Sequence, residues 1–179
     1  GETTDEILLT CYVCHPSLCN DNLSGIALLT ILSKYLKLLS PKFTYRFLFI
    51  PETIGSIVWL HNNENHLQHI KYGLVATCLG DSGILTYKKT RTGKNDIDLI
   101  IESILKNSDD EYKIIDYSPI GSDERQFCSP GFNLPVGSLM RTPYLEFPEY
   151  HTSDDNLNFL KKEKLLDSFL KYLEIIFVI

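Results

Sequence analysis

His15, Asp21, Glu52 and His151 are the residues of this chain whose types suit metal-assisted hydrolysis. Divalent zinc takes histidine nitrogen and carboxylate oxygen as donors, and a catalytic zinc site keeps one position open for water. His15, Asp21 and His151 supply such donors, and Asp81 is a fourth candidate ligand. Glu52 sits in a Pro-Glu-Thr turn, where it can take a proton as a general base. Each residue alone also has a plainer reading. A single histidine beside a strand is more often hydrogen-bonded structure than a ligand, Asp21 can cap the helix that begins near Leu23, and Glu52 can be a surface turn residue.

The elements that must carry these residues raise the set above its members. From Ile7 to Val13 the apolar run ILLTCYV suits a short strand buried on both faces. Apolar residues then recur at helical spacing from Ile26 to Leu39, ahead of Pro41. Phe43 to Ile50 reads as a second strand, Ile54 to Ile70 as a second helix, and Tyr72 to Leu79 as a third strand ended by the turn-forming GDSG. Asp96 to Leu105 reads as helical, Tyr112 to Tyr117 and Leu134 to Met140 as extended, and Glu163 to Phe177 as helical. Strands alternating with helices predict an α/β fold, a mainly parallel sheet covered on both faces. Open sheets of this kind bind ligands beyond the carboxyl ends of their strands. His15, Glu52, Asp81 and His151 all follow strand ends, so they are expected on one rim.

Composition narrows the alternatives. The 179 residues, 44% hydrophobic, fit one domain over 1–179 with a real core, and the formal net charge of −6 disfavours nucleic acid as a partner. No apolar run reaches the ~20 residues of a bilayer span and no signal-peptide pattern opens the chain, so a soluble, cytoplasmic protein is the expectation. The chain opens on Gly1 directly before a strand, and it reads as a piece truncated at its N-terminus. Five cysteines at uneven spacing read as free thiols. Cys11-Tyr12-Val13-Cys14-His15 matches the C-x-x-C-H haem-attachment pattern, with Met140 as a conceivable distal ligand. Both thiols belong to a strand expected to be buried, which weighs against haem.

Between Gly121 and Asn156 charged and aromatic residues crowd into loops, where specificity is usually built. Arg125 or Arg141 can hold a carboxylate bidentately, and Tyr144, Phe147 and Tyr150 can wall a pocket for a small-molecule or peptide-like substrate. Packing of the loop against the sheet is the competing use.

Five motifs in order, CHPSLCNDNLSG (14–25), FIPETIGS (49–56), TCLGD (77–81), GSDERQFCSPGFNLPVGSLMRT (121–142) and PEYHTSDDN (148–156), cover essentially the whole chain. With them the chain resembles the M28-type zinc aminopeptidases. The resemblance is closer still to bacterial aminopeptidase-like proteins of the DUF4910 type, often labelled polysaccharide-biosynthesis proteins. It implies a three-layer zinc-exopeptidase fold lacking N-terminal strands here, one or two zinc ions, and His15, Asp21 and His151 as ligands, with Asp21 in the bridging position. It further implies Asp155 as a supporting residue and Ser122 and Asp123 beside the substrate. Ser17 and Thr53 replace acidic residues of the peptidase pattern, and strict register places Thr77 or Cys78 where the peptidases have an aspartate ligand. Glu52 then stands as base or ligand, and one zinc fits better than two. The implied activity is cleavage of an amide bond by metal-activated water; the alternative is a non-catalytic binding module in surface-polysaccharide biosynthesis.

Overall fold

The computed structural model describes residues 1–179. Six strands, β1 (Glu6–Tyr12), β2 (Thr44–Ile50), β3 (Ile70–Ala76), β4 (Leu85–Lys88), β5 (Tyr112–Ile115) and β6 (Val136–Met140), form one sheet in the order β2-β1-β3-β6-β4-β5. All neighbours run parallel except β4 and β6. The helices are α1 (Ser24–Leu36), α2 (Ile54–Asn62), α3 (Asp96–Lys106), α4 (Glu124–Phe127) and α5 (Lys162–Val178).

The central strands β1 and β6 are buried along their whole length, their side chains alternating between the two faces, whereas the edge strands β2 and β5 are half-buried. In β1, Ile7, Leu9 and Cys11 pack with Leu28, Leu29 and Leu32 of α1, Ile97 and Ile101 of α3, and Tyr172 and Ile175 of α5. Leu8 points the other way, joining Val75, Val136, Leu60 of α2 and Phe127 of α4. This is the three-layer α/β arrangement expected.

Register fixes the rim. Tyr12 pairs with Ile50 at the carboxyl ends of β1 and β2, so His15 and Glu52 emerge side by side, three and two residues later. Thr10 pairs with Val75 in β3, and Ala76 with Leu139 in β6. The loop after β6 returns across this rim and carries His151 to it.

Several elements depart from expectation. The predicted helix Ile54–Ile70 ends at Asn62, and a 3₁₀ segment (Glu64–His69) leads into β3, which already begins at Ile70. Four-residue β4 and four-residue α4 are additional; both are too short to show a period of their own. The predicted first helix is preceded by a kinked turn, Cys19–Leu23, with non-helical backbone at Asp21 and Asn22, and starts two residues early at Ser24. That turn is the part of the backbone that presents Asp21.

Candidate metal centre

The turn holding Asp21 is fastened from three sides. Asp155, fully buried, accepts the backbone N–H of Asn20 at 2.6 Å on one carboxylate oxygen and that of Asp21 at 2.9 Å on the other. Its own carbonyl accepts Cys19 N–H at 3.0 Å. Asn20 donates to Asp81 at 2.9 Å and accepts Gly80 N–H at 2.9 Å. Asn22 donates to the Ala76 carbonyl at 2.8 Å, which ties the turn to the end of β3. Gly25 allows this closeness: a Cβ there would lie 2.4 Å from the Ala76 oxygen.

So held, Asp21 is buried, and its two carboxylate oxygens meet different surroundings. Oδ1 accepts the hydroxyl of Tyr12, which also lies 2.6 Å from Thr77 Oγ1. Oδ2 accepts no hydrogen bond and lies 3.0 Å from His151 Nε2, within ion-pair distance. An ionised oxygen taken out of water without a partner is costly, and a cation is the partner that satisfies it best. One donor atom each from His15, Asp21 and His151 lies within 4.8 Å of the others, so the three fit a divalent ion.

The two imidazoles are oriented by rings around them. His15 meets Tyr12 edge-on at 5.1 Å between centroids, and His151 at 4.9 Å. Tyr150 stacks on His151 at 3.9 Å, nearly parallel, and Phe147 braces Tyr150 edge-on. His151 itself has a left-handed backbone, φ 57°, an unfavourable conformation that the surrounding loop must sustain.

Glu52 belongs to a second, overlapping group with Cys14 and His15, whose donor atoms also lie within 4.8 Å of one another. Its half-buried carboxyl is pushed up, first by loss of water and then by Asp21 and Glu124, while the Ser122 hydroxyl and the Arg125 guanidinium act in the opposite direction. The turn bearing Glu52 is set by Asp123, which accepts Thr53 N–H at 2.7 Å and the Ser56 hydroxyl at 2.8 Å, and by Arg125, which donates to Thr53 Oγ1 at 2.8 Å. Thr53, at φ 62°, is therefore bound as structure.

Three residues expected in the site have other work. Asp81 is buried away from the ligand group, its carboxylate accepting from Asn20, from Gly83 N–H at 2.7 Å and from the Thr142 hydroxyl at 2.6 Å. It is a support for the Asp21 turn, since those donors already satisfy it. Arg141 is buried beneath the rim and donates to the carbonyls of Gly83 and Lys164, to Ser168 and to Asp167, so it joins α5 to the sheet, and with Nε and both Nη2 hydrogens taken it has no bidentate edge free to clamp a carboxylate. Asp123 holds the Glu52 turn rather than facing outward. Ser122, Arg125 and Tyr150 remain at the rim beside Glu52 and His151.

Tyr12 was not among the expected site residues. Its signal was present, a hydroxyl-bearing residue closing a buried strand three positions before His15, but an aromatic there reads as core. Nor was the pair Lys88–Glu124, 2.8 Å apart and both buried, with the Tyr144 hydroxyl 2.9 Å from Lys88. The two cysteines of the C-x-x-C-H match diverge: Cys11 lies in the core under α1, and Cys14 is exposed beside Glu52 N–H, so no single porphyrin face meets both.

Comparison with known proteins shows the fold and the family. A Clostridium acetobutylicum protein, named a candidate polysaccharide biosynthesis protein with aminopeptidase-like domain, is 59% identical over all 179 residues, and the chain spans 41% of its length. A crystal structure of a candidate peptidase from Clostridium acetobutylicum superposes with TM-score 0.97 at 58% identity, covering 99% of this chain and 42% of that one. A zinc aminopeptidase from Bacillus subtilis superposes with TM-score 0.80 at 17% identity, over 97% of this chain and 45% of that one, which shows a shared fold. The model of one family, described as Domain of unknown function (DUF4910), matches residues 1–179 throughout, and the chain belongs to that family, on an aminopeptidase-like fold.

Proposed function

We propose that the protein containing this chain is a metal-dependent hydrolase of aminopeptidase type, acting on an amide bond of a small-molecule or peptide-like substrate. One observation carries the reading: the donor atoms of His15, buried Asp21 and His151 converge within 4.8 Å, with Asp21 Oδ2 accepting no hydrogen bond. His15, Asp21 and His151 would hold a single zinc ion, a donor set of the kind found in zinc hydrolases. When bound, zinc supplies Lewis acidity that polarises a carbonyl and makes water a better nucleophile near neutral pH.

The chain's own residues supply the rest. Glu52, next to His15 and partly withdrawn from solvent, takes the proton of the attacking water and returns it to the departing amine nitrogen. Its raised pKa brings it nearer the working pH, where a base exchanges protons most effectively. Asp123 and Arg125 fix the turn so that Glu52 faces the ligands, and Asp155 fixes Asp21. Tyr150, stacked on His151, forms an aromatic wall, and Ser122 and Arg125 offer polar contacts beside Glu52. With a net charge of −6, nucleic acid is not the expected partner.

A second reading is supported by Ser17 and Thr53 standing where acidic residues would otherwise serve, and by the polysaccharide-biosynthesis name of the Clostridium acetobutylicum relative. In it, the chain is an aminopeptidase-like binding module in a surface-polysaccharide pathway. The deciding experiment loads the full-length protein with zinc and screens aminoacyl amides and acylated amino sugars. The hydrolase reading expects turnover that Glu52→Gln abolishes while zinc content stays the same. Zinc-loaded protein that turns over none of these substrates moves the assignment to the binding module.

A further inference from the structure

Asp21 has one open and one closed oxygen, and the residue that closes it is Tyr12. The Tyr12 ring is 3% exposed, its hydroxyl is given to Asp21 Oδ1 and lies 2.6 Å from Thr77 Oγ1, and its edge meets His15. A carboxylate with both oxygens free can serve two cations, one on each side. Here the space bounded by Asp21 Oδ1, Thr77 and His15 already contains a neutral phenol.

We propose, building on the metal-centre reading above, that Tyr12 is a built-in occupant of the second cation position and restricts the centre to one metal ion per chain, bound on the Oδ2 side of Asp21. A second ion on the Oδ1 side would have to expel a buried phenol and would find little charge to replace it, and the Cys14–His15–Glu52 group draws on the same His15 as the first ion, so the two groups do not fill independently. Thr77 offers a neutral hydroxyl. Asp81 is engaged by Asn20, Gly83 and Thr142, and Asp155 by the backbone of Asn20 and Asp21. A divalent cation without its own carboxylates does not recover the hydration it loses on burial. The phenol has a positioning effect too: by fixing Oδ1 it turns Oδ2 toward the two histidines.

The test is metal stoichiometry of the full-length protein, equilibrated with zinc and freed of excess, read by elemental analysis and by calorimetric titration. One zinc per chain is expected for the wild type, and none for His151→Ala. Tyr12→Phe combined with Thr77→Asp opens the space and supplies a carboxylate, and it is expected to take up a second equivalent. Two zinc ions per wild-type chain overturn the proposal and leave the metal-centre reading standing. A double variant that keeps the wild-type circular dichroism but still binds one ion also overturns it. Zinc-free, folded wild type overturns both together. Because the double variant can fail to fold, wild type is also loaded with cobalt(II) and its paramagnetic resonance recorded. A magnetically isolated ion is expected, and a coupled pair refutes the single-ion centre.

Discussion

Asp155→Asn is the substitution that most directly tests how the Asp21 turn is held. It changes no volume, and it replaces a carboxylate oxygen that accepts a backbone N–H with an amide NH₂ that cannot. Asp155 is fully buried and each oxygen serves one N–H, Asn20 at 2.6 Å and Asp21 at 2.9 Å, so one of these two bonds must be lost. A hydrogen bond to a charged group contributes about 1.5–3 kcal/mol, and the buried N–H left behind adds a further penalty of about 1–3 kcal/mol. Removing a negative charge near Asp21 acts the other way and offsets part of this. The net expectation is a loss of about 2–3 kcal/mol, roughly a 30- to 150-fold fall in the folding constant. Because the same N–H groups orient Asp21, zinc affinity should fall by about 10- to 100-fold, the usual effect of removing a group that orients a ligand. Urea unfolding followed by Trp59 fluorescence gives the first number, and chelator competition gives the second. A stability change under about 0.5 kcal/mol together with unchanged zinc affinity would refute the claim that Asp155 organises this turn.

Two further outcomes are expected. Arg141→Lys should cost about 2–3 kcal/mol, because an ammonium cannot reach the carbonyls of Gly83 and Lys164 and the Ser168 hydroxyl together, yet zinc stoichiometry should not change; thermal unfolding with elemental analysis checks both, and loss of zinc would return Arg141 to the site. Burial pushes the Asp123 carboxyl from 3.8 up to about 6, so the folded state holds that proton more tightly than the unfolded chain does. Its contribution to stability therefore falls as pH rises between about 4 and 6 and is level above that, a span of at most about 3 kcal/mol. Asp123→Asn should flatten this part of the stability–pH curve in urea titrations, and parallel curves for variant and wild type would contradict it.

The short apolar runs of β1 and β2, and the polar residues that stop each of them, determined much of this protein without reference to its tertiary structure. A strand buried on both faces, as β1 is, must be largely apolar, so its end is visible where polar residues begin, while Pro51 marks the end of β2, and His15 and Glu52 could be placed on one rim. The five ordered motifs likewise carried the family resemblance. Other features were decided only in three dimensions. Asp81 and Arg141 look reactive in a sequence because charge in a loop has no visible partner; the folded chain supplies those partners from Asn20 and Thr142, and from Gly83, Lys164 and Ser168, all distant along the chain or across a turn. Strand β4 is too short to show alternation, and it exists because β5 and β6 offer it ladders on both sides. Tyr12 reads as one more apolar residue until the parallel register of β1 and β3 brings its hydroxyl to Thr77 and Asp21. Residue type and local periodicity fix which groups are available at a strand end, whereas hydrogen-bond partners distant in sequence fix which of those groups remain free to bind an ion.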